Sequence, residues 1–281
     1  MNSQEQMYKR LLDSLPVNKL KEWSNQTGTK NEVIEHIYDH ETIQSINNYI
    51  SMNFGHLHQS GFLFTTQTAV NIGNTVFPTF SNIYNGNSGN FQERIYLKTI
   101  QLPYYDSESD SRETLNFFVP IRILNNGRVV RIFIHTIGRN VKSYFDHEVF
   151  PTGRVSIEDD ILEEVRIAIG QELIPKDINS GVKHLWRNDY IDGYLVKNKR
   201  ALSLKTEVMD ENNTFKDSYP DEFEDLMLTP LRRTKFRYNG PDEIVAKFDI
   251  NASVGHIVIN RHSEGDNDMD TLINLILANN A

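Results

Sequence analysis

Lysine and arginine are the residues whose spacing most clearly suggests chemistry, and that chemistry is the neutralisation of phosphate. Between residues 177 and 205 stand six cations, Lys183, Arg187, Lys197, Lys199, Arg200 and Lys205, against three carboxylates, Asp177, Asp189 and Asp192. The excess is local, because the 281-residue chain carries a net charge of −9. Clustered cations displace counterions from a polyphosphate backbone, whereas an acidic chain as a whole is not drawn to one. Arg233, Lys235 and Arg237 form a second group, alternating with Thr234, Phe236 and Tyr238. Period two puts those three cations on one strand face. There they could grip phosphate, an acidic partner or the chain's own acidic stretch at 207–225, or simply keep an exposed face solvated. In that stretch eight carboxylates face Lys216 alone, which reads as a solvated loop.

Enzymatic constellations are sparse. His56 and His58 lie two residues apart and would point to one side of a strand, so that with Asp146, His147 and Glu148 they sketch a divalent-metal site. No spacing links the two groups. No glycine-rich phosphate loop, Gly-x-Ser-x-Gly elbow or His-Glu-x-x-His pair occurs. Glu243 and Lys247 do not complete a nuclease carboxylate–lysine pattern. The chain has no cysteine, which excludes thiol catalysis, disulfides and thiolate zinc sites. The reading is therefore of a non-enzymatic protein without a cofactor, with a divergent metal-dependent hydrolase as the enzymatic alternative.

Hydrophobic residues make up 38% and charged residues 24%, which suits a folded globule with a sizeable core and not a disordered chain. The polar start, Met1-Asn2-Ser3-Gln4-Glu5-Gln6, lacks the pattern of a signal peptide. No apolar run reaches the roughly 18 residues of a membrane span. A soluble, cytoplasmic protein is expected.

The elements that must position these residues begin with helices. Met7, Leu11 and Leu15, with Tyr8 and Leu12 beside them, make one apolar stripe. Pro16 suits the first turn of a second helix burying Val17, Leu20 and Trp23, and Gly28 can close it in the left-handed region. Thr29 and Glu32 have the form of a capping box for a third helix burying Val33, Ile34, Ile37 and Tyr38. A fourth runs from Glu41 to about Met52. The run Leu15-Pro16-Val17-Asn18-Lys19-Leu20-Lys21-Glu22-Trp23, with Gly28-Thr29-Lys30 and Val33-Ile34-Glu35-His36-Ile37, resembles the SAP and LEM helix-extension-helix modules. That resemblance, spanning residues 10–38, implies a module that binds DNA or a protein partner, although Glu35-His36 stands where a basic pair often meets phosphate.

Residues 53–61 read as a linker, and 71–90, rich in Asn, Gly and Ser, as loops. Leu115, Phe117, Val119, Ile121 and Ile123 alternate toward Asn126-Gly127, and Val130, Ile132 and Ile134 alternate after it, predicting a two-residue hairpin. Pro120 predicts a break in one ladder. Ser156 is placed to cap a helix burying Ile157, Ile161, Val165 and Ile169. A second helix buries Ile178, Val182, Leu185 and Trp186, and an extended stretch follows from Val196 to Val208. Helix, turn, helix and basic extended segment over 156–208 resemble a winged helix-turn-helix. The resemblance implies that Asn179, Ser180, Lys183, His184 and Arg187 face the major groove and that Lys197, Lys199 and Arg200 track the backbone. Three strands, near 231–238, 244–250 and 254–261, precede a final helix burying Leu272, Ile273, Ile276 and Leu277.

The order predicts an α+β fold: a helical module at 1–52, then a largely antiparallel body at 61–281 with an inserted helical pair and a C-terminal helix. The expected function is association with DNA, or regulation, through Asn179, Lys183, Arg187, Lys197, Lys199, Arg200, Arg233, Lys235 and Arg237. A protein–protein adaptor using the helical module and the acidic stretch is the alternative.

Overall fold

The computed structural model describes residues 3–106, 110–137, 149–151, 157–200, 203–208, 213–240, 247–259, 265 and 268–280. Four helices come first: α1 (Gln4–Asp13), α2 (Val17–Ser24), α3 (Lys30–His40) and α4 (Ile43–Met52). Side-chain caps set three of their starts. Ser3 Oγ accepts from Gln6 N, and Thr42 Oγ1 accepts from Ser45 N. At Thr29 the capping box forms, with Glu32 Oε2 accepting from Thr29 N at 2.7 Å. That bond lowers the Glu32 pKa. Two details differ from the sequence reading. Asn25, at φ 52°, is the left-handed residue that closes α2, and Val17 faces solvent.

Past α4 the chain makes a single 3-10 turn at Phe54–His56 and enters β1 (Gln59–Thr65). Phe54, His56 and Leu57 are buried, so this stretch is a wedge in the core where a linker was expected. The strands β2 (Phe80–Ser88), β3 (Phe91–Asp106), β4 (Ser111–Asn126), β5 (Val129–His135) and β6 (Val149–Pro151) follow. Next come α5 (Ile157–Ile169), β7 (Ile174–Pro175), α6 (Asn179–Arg187), β8 (Ile191–Arg200) and β9 (Ser203–Val208). The chain continues through α7 (Phe215–Ser218), α8 (Pro220–Leu228), β10 (Thr234–Tyr238), β11 (Lys247–Asn251), β12 (His256–Ile259) and α9 (Asp268–Ala278). All the described strand pairs are antiparallel. They form one sheet in the order β2-β3-β4-β5-β1-β12-β11-β10-β8-β9, with β6 beside β3 and β7 beside β1. This is the expected α+β class.

Successive strand residues point to opposite faces, and the two cores follow that alternation. Leu63, Ile95, Leu97, Leu124 and Phe133 face one core, together with all four N-terminal helices, α6, α8 and α9. Phe62, Phe64, Tyr96, Ile123, Ile132 and Ile134 face the other, with α5. The N-terminal helices thus share their core with the body. Arg10 of α1 ties them further, donating to the Asn116 carbonyl at 2.7 Å.

The β4–β5 hairpin forms, with Leu115, Val119, Ile121, Ile123, Val130, Ile132 and Ile134 buried. Asn126 pairs with Val129, so the two turn residues are Gly127 and Arg128, one position later than expected. Gly127 supplies the positive φ, 57°. Pro120 pairs with Leu97 and lies just outside the β4–β5 ladder, which reaches only Ile121, so its missing N–H breaks no ladder there. β2 occupies part of the stretch read as loops. Its exposed edge position removes the apolar alternation that reveals a strand. The acidic stretch holds α7 and α8, with Phe215, Phe223, Leu226 and Met227 buried, where a solvated loop was expected.

Candidate nucleic-acid interface

The candidate residues singled out from the sequence lie on α6, on the β8–β9 hairpin and on or just before β10. α6 is held by its buried face. Val182, Leu185 and Trp186 enter the core, and Gly181 lies so close to α9 that a Cβ there would stand 2.1 Å from the Ile276 carbonyl oxygen. Asn179 spends its side chain within the fold. Its Nδ2 donates to Asp177 Oδ1 at 2.7 Å and Ser253 Oγ at 3.2 Å, while its Oδ1 accepts from Leu231 N at 2.7 Å. Lys183 Nζ donates to the Met227 carbonyl at 3.0 Å, and burial, followed by the nearby Arg187 charge, lowers its pKa. Ser180, His184 and Arg187 remain on the exposed side.

α5 and α6 stand on opposite faces of the sheet, since α5 buries Ile161 and Val165 in one core and α6 buries Val182 and Leu185 in the other. The short strand β7, paired with β1, separates them. A winged helix-turn-helix packs its two helices against each other, so the pair differs from that arrangement. The Ser156 cap lies outside the described residues.

Lys235 and Arg237 lie on β10 and Arg233 on the bend just before it, so the three do not share one strand, and neighbouring strands answer them with carboxylates. Arg237 donates to Asp192 Oδ2 through Nε at 3.1 Å and Nη2 at 2.8 Å. Its Nη2 also reaches the Asn213 carbonyl at 2.6 Å, inside the chain's own acidic stretch. Arg233 Nη2 lies 3.1 Å from Asp249 Oδ2. Lys235 is opposite Asp249 in the strand register. Asp192 and Asp249 are 3% and 4% exposed, which makes these arginines counter-ions of buried charge. His256 shares this region, stacked on Phe62 with ring centroids 4.3 Å apart. Burial, then Arg233, lowers its pKa to about 4, against the opposing pull of Asp249 and Asp159.

The hairpin differs from both. β8 pairs with β10 only from Ile191 to Leu195, and from Val196 to Arg200 its described partner is β9 alone. β9 ends the strand order. A two-stranded ribbon therefore runs on past the end of β10, anchored by the buried Val196. Lys197, Lys199 and Arg200 lie on its first strand and Lys205 on its second, with Glu207 the single carboxylate between Val196 and Val208. Sequence reading placed an extended segment here; the Leu195↔Val208 to Arg200↔Ser203 register that folds it back on itself was not legible.

His56 and His58 do not share a strand. His56 lies in the 3-10 turn at 1% exposure, and His58 precedes β1, its carbonyl accepting from His135 Nδ1 at 2.8 Å and Thr136 N at 2.9 Å. Among the described residues no group of three His, Asp or Glu side chains could hold a metal ion, and no helix is long and apolar enough to cross a membrane. Residues 146–148 lie outside the described set. Comparison with family models, curated proteins and solved structures finds no match to this chain.

Proposed function

We propose that this protein associates with nucleic acid through the β8–β9 ribbon, with Lys197, Lys199, Arg200 and Lys205 contacting phosphate. The observation that carries this reading is a basic two-stranded ribbon extending beyond the strands that pair with the rest of the sheet. The major groove of a DNA duplex, about 12 Å wide, admits a two-stranded ribbon. The remaining candidate residues divide by how they are used. Arg187 is exposed and free to assist, whereas Asn179, Lys183, Arg233 and Arg237 already serve the fold. Affinity then rests on few cations in an acidic protein, so binding is weak and sensitive to salt. The test is fluorescence anisotropy of a labelled duplex at low salt with wild type and a Lys197→Glu/Lys199→Glu/Arg200→Glu variant. Binding by wild type that the variant loses supports the ribbon. Equal binding by both, or none by either, refutes it and turns attention to the adaptor alternative, with the exposed acidic side of α8 as its surface.

A further inference from the structure

A small cleft lies toward the opposite end of the sheet from the ribbon, between the end of α4 and the strands β2, β3 and β4. Its volume is about 220 Å³, below the roughly 300 Å³ at which sites for drug-sized ligands begin, so its occupant has the size of one or two rings. Met52, Phe54, Tyr84, Asn87, Glu93 and Arg122 are among the residues that line it. Tyr84 lies along its own strand, its hydroxyl 2.2 Å from where a Cβ of Gly86 would sit, so only glycine at 86 leaves that ring its place.

Two of these lining side chains, Glu93 and Arg122, belong to a buried charge network with two positions left over. Arg122 donates through Nε to Glu93 Oε1 and through Nη1 to Asp270 Oδ2, the latter at 2.6 Å. Glu93 and Arg122 are 8% and 9% exposed. Burial works to lower the Arg122 pKa, and the two carboxylates outweigh it, holding the guanidinium charged. Among the described residues no partner meets Arg122 Nη2 or Glu93 Oε2, and neither atom is sealed from solvent. A donor and an acceptor of one ion pair are thus left over, each belonging to an ion already neutralised by the other. Arg131, donating to Asn274 Oδ1 at 3.0 Å, lies close enough for its charge to act on Arg122 and Asp270. Two guanidinium groups and two carboxylates leave the network neutral; an anion would meet a like charge at Glu93 Oε2, and a cation would meet one at Arg122 Nη2.

We infer that this cleft binds an uncharged planar group presenting a hydrogen-bond acceptor beside a donor, the amide-type edge that a nucleobase carries. Glu93 Oε2 accepts from the ligand N–H, and Arg122 Nη2 donates to the ligand oxygen or ring nitrogen. The inference is independent of the ribbon and holds whether or not the ribbon binds nucleic acid.

Three probes of one shape test it on the full chain: benzamide, with one acceptor and one donor; benzoate, with acceptors only; and benzamidine, with donors only. Each is titrated to ~20 mM, the range in which fragments of this size bind, while ¹H–¹⁵N correlation spectra are followed. Benzamide is expected to shift amides around Ser51–Gly55 and Tyr84–Ser88 and to bind about tenfold tighter than either ion, and adenine is expected to compete with it. Ser51→Phe, which fills the cleft without touching the ion network, is expected to remove the shifts while the protein stays folded. The inference is overturned by no shift with benzamide, by equal or tighter binding of either ion, or by benzamide binding unchanged in the filled variant. Failure of adenine to compete overturns the nucleobase assignment.

Discussion

At the scale of single residues, the fold spends charge on its own interior. Asp192 is 3% exposed, accepts from Phe215 N at 3.0 Å and takes two bonds from Arg237. Removing one partner of a buried ion pair leaves the other charge uncompensated, which is strongly destabilising. Arg237→Ala is expected to destabilise the protein by about 3 kcal/mol while leaving duplex affinity unchanged, read by urea unfolding and anisotropy. Loss of affinity without loss of stability would return Arg237 to the interface. His256 gives a second residue-scale expectation. Its folded pKa of about 4 lies below the unfolded value of 6.5, so between those two limits the unfolded chain binds more protons. Stability therefore falls as the pH drops from about 6.5 toward 4. Its share is about 2 kcal/mol between pH 7 and pH 5. Urea midpoints of wild type and His256→Gln should diverge over that range, and parallel pH curves would show that His256 does not contribute.

At the scale of elements, what could be read in advance depended on whether an element buries one face. The β4–β5 hairpin was legible because Leu115 to Ile123 and Val130 to Ile134 alternate in the sequence and are buried in the structure. The capping box at Thr29–Glu32 was legible because it is made by neighbouring residues. β2 was not, since an exposed edge strand of Asn, Gly and Ser shows no apolar period. α8 was hidden by its charges: Asp221, Glu222, Glu224 and Asp225 dominate the composition, yet Phe223, Leu226 and Met227 are what place it. The candidate interface divided in the same way. Periodicity put Arg233, Lys235 and Arg237 on one face, while their carboxylate partners come from β8 and β11, 45 and 16 residues away in the chain. No local pattern announces such pairs. The Glu93–Arg122–Asp270 network was missed for the same reason, since Arg122 and Asp270 are 148 residues apart.

At the scale of the whole molecule, the N-terminal helices and the sheet are joined by one continuous apolar core, which also takes in α6, α8 and α9. A shared core implies shared unfolding. The two tryptophans sit on opposite sides of that question. Trp23 stacks on Tyr49 at 4.0 Å within the helices, and Trp186 meets Phe236 edge-on at 5.0 Å above the sheet. Variants retaining one tryptophan each, Trp23→Phe and Trp186→Phe, are expected to report coincident denaturant transitions when each is compared with far-UV circular dichroism of the same variant. A helix-module transition well separated from that of the sheet would contradict the shared core.

The ribbon sets the charge account of the molecule apart from its fold, and the salt dependence of duplex binding tests that most directly. With Lys197, Lys199, Arg200 and Lys205 as the phosphate contacts, log K against log salt should fall with a slope of about −3.6, a loss of roughly a hundredfold between 50 and 200 mM. Replacing Lys197, Lys199 and Arg200 with alanine should flatten the slope to about −1 without moving the unfolding midpoint. A wild-type slope near zero, or a steep slope that survives those replacements, would contradict the assignment of the ribbon as the nucleic-acid contact.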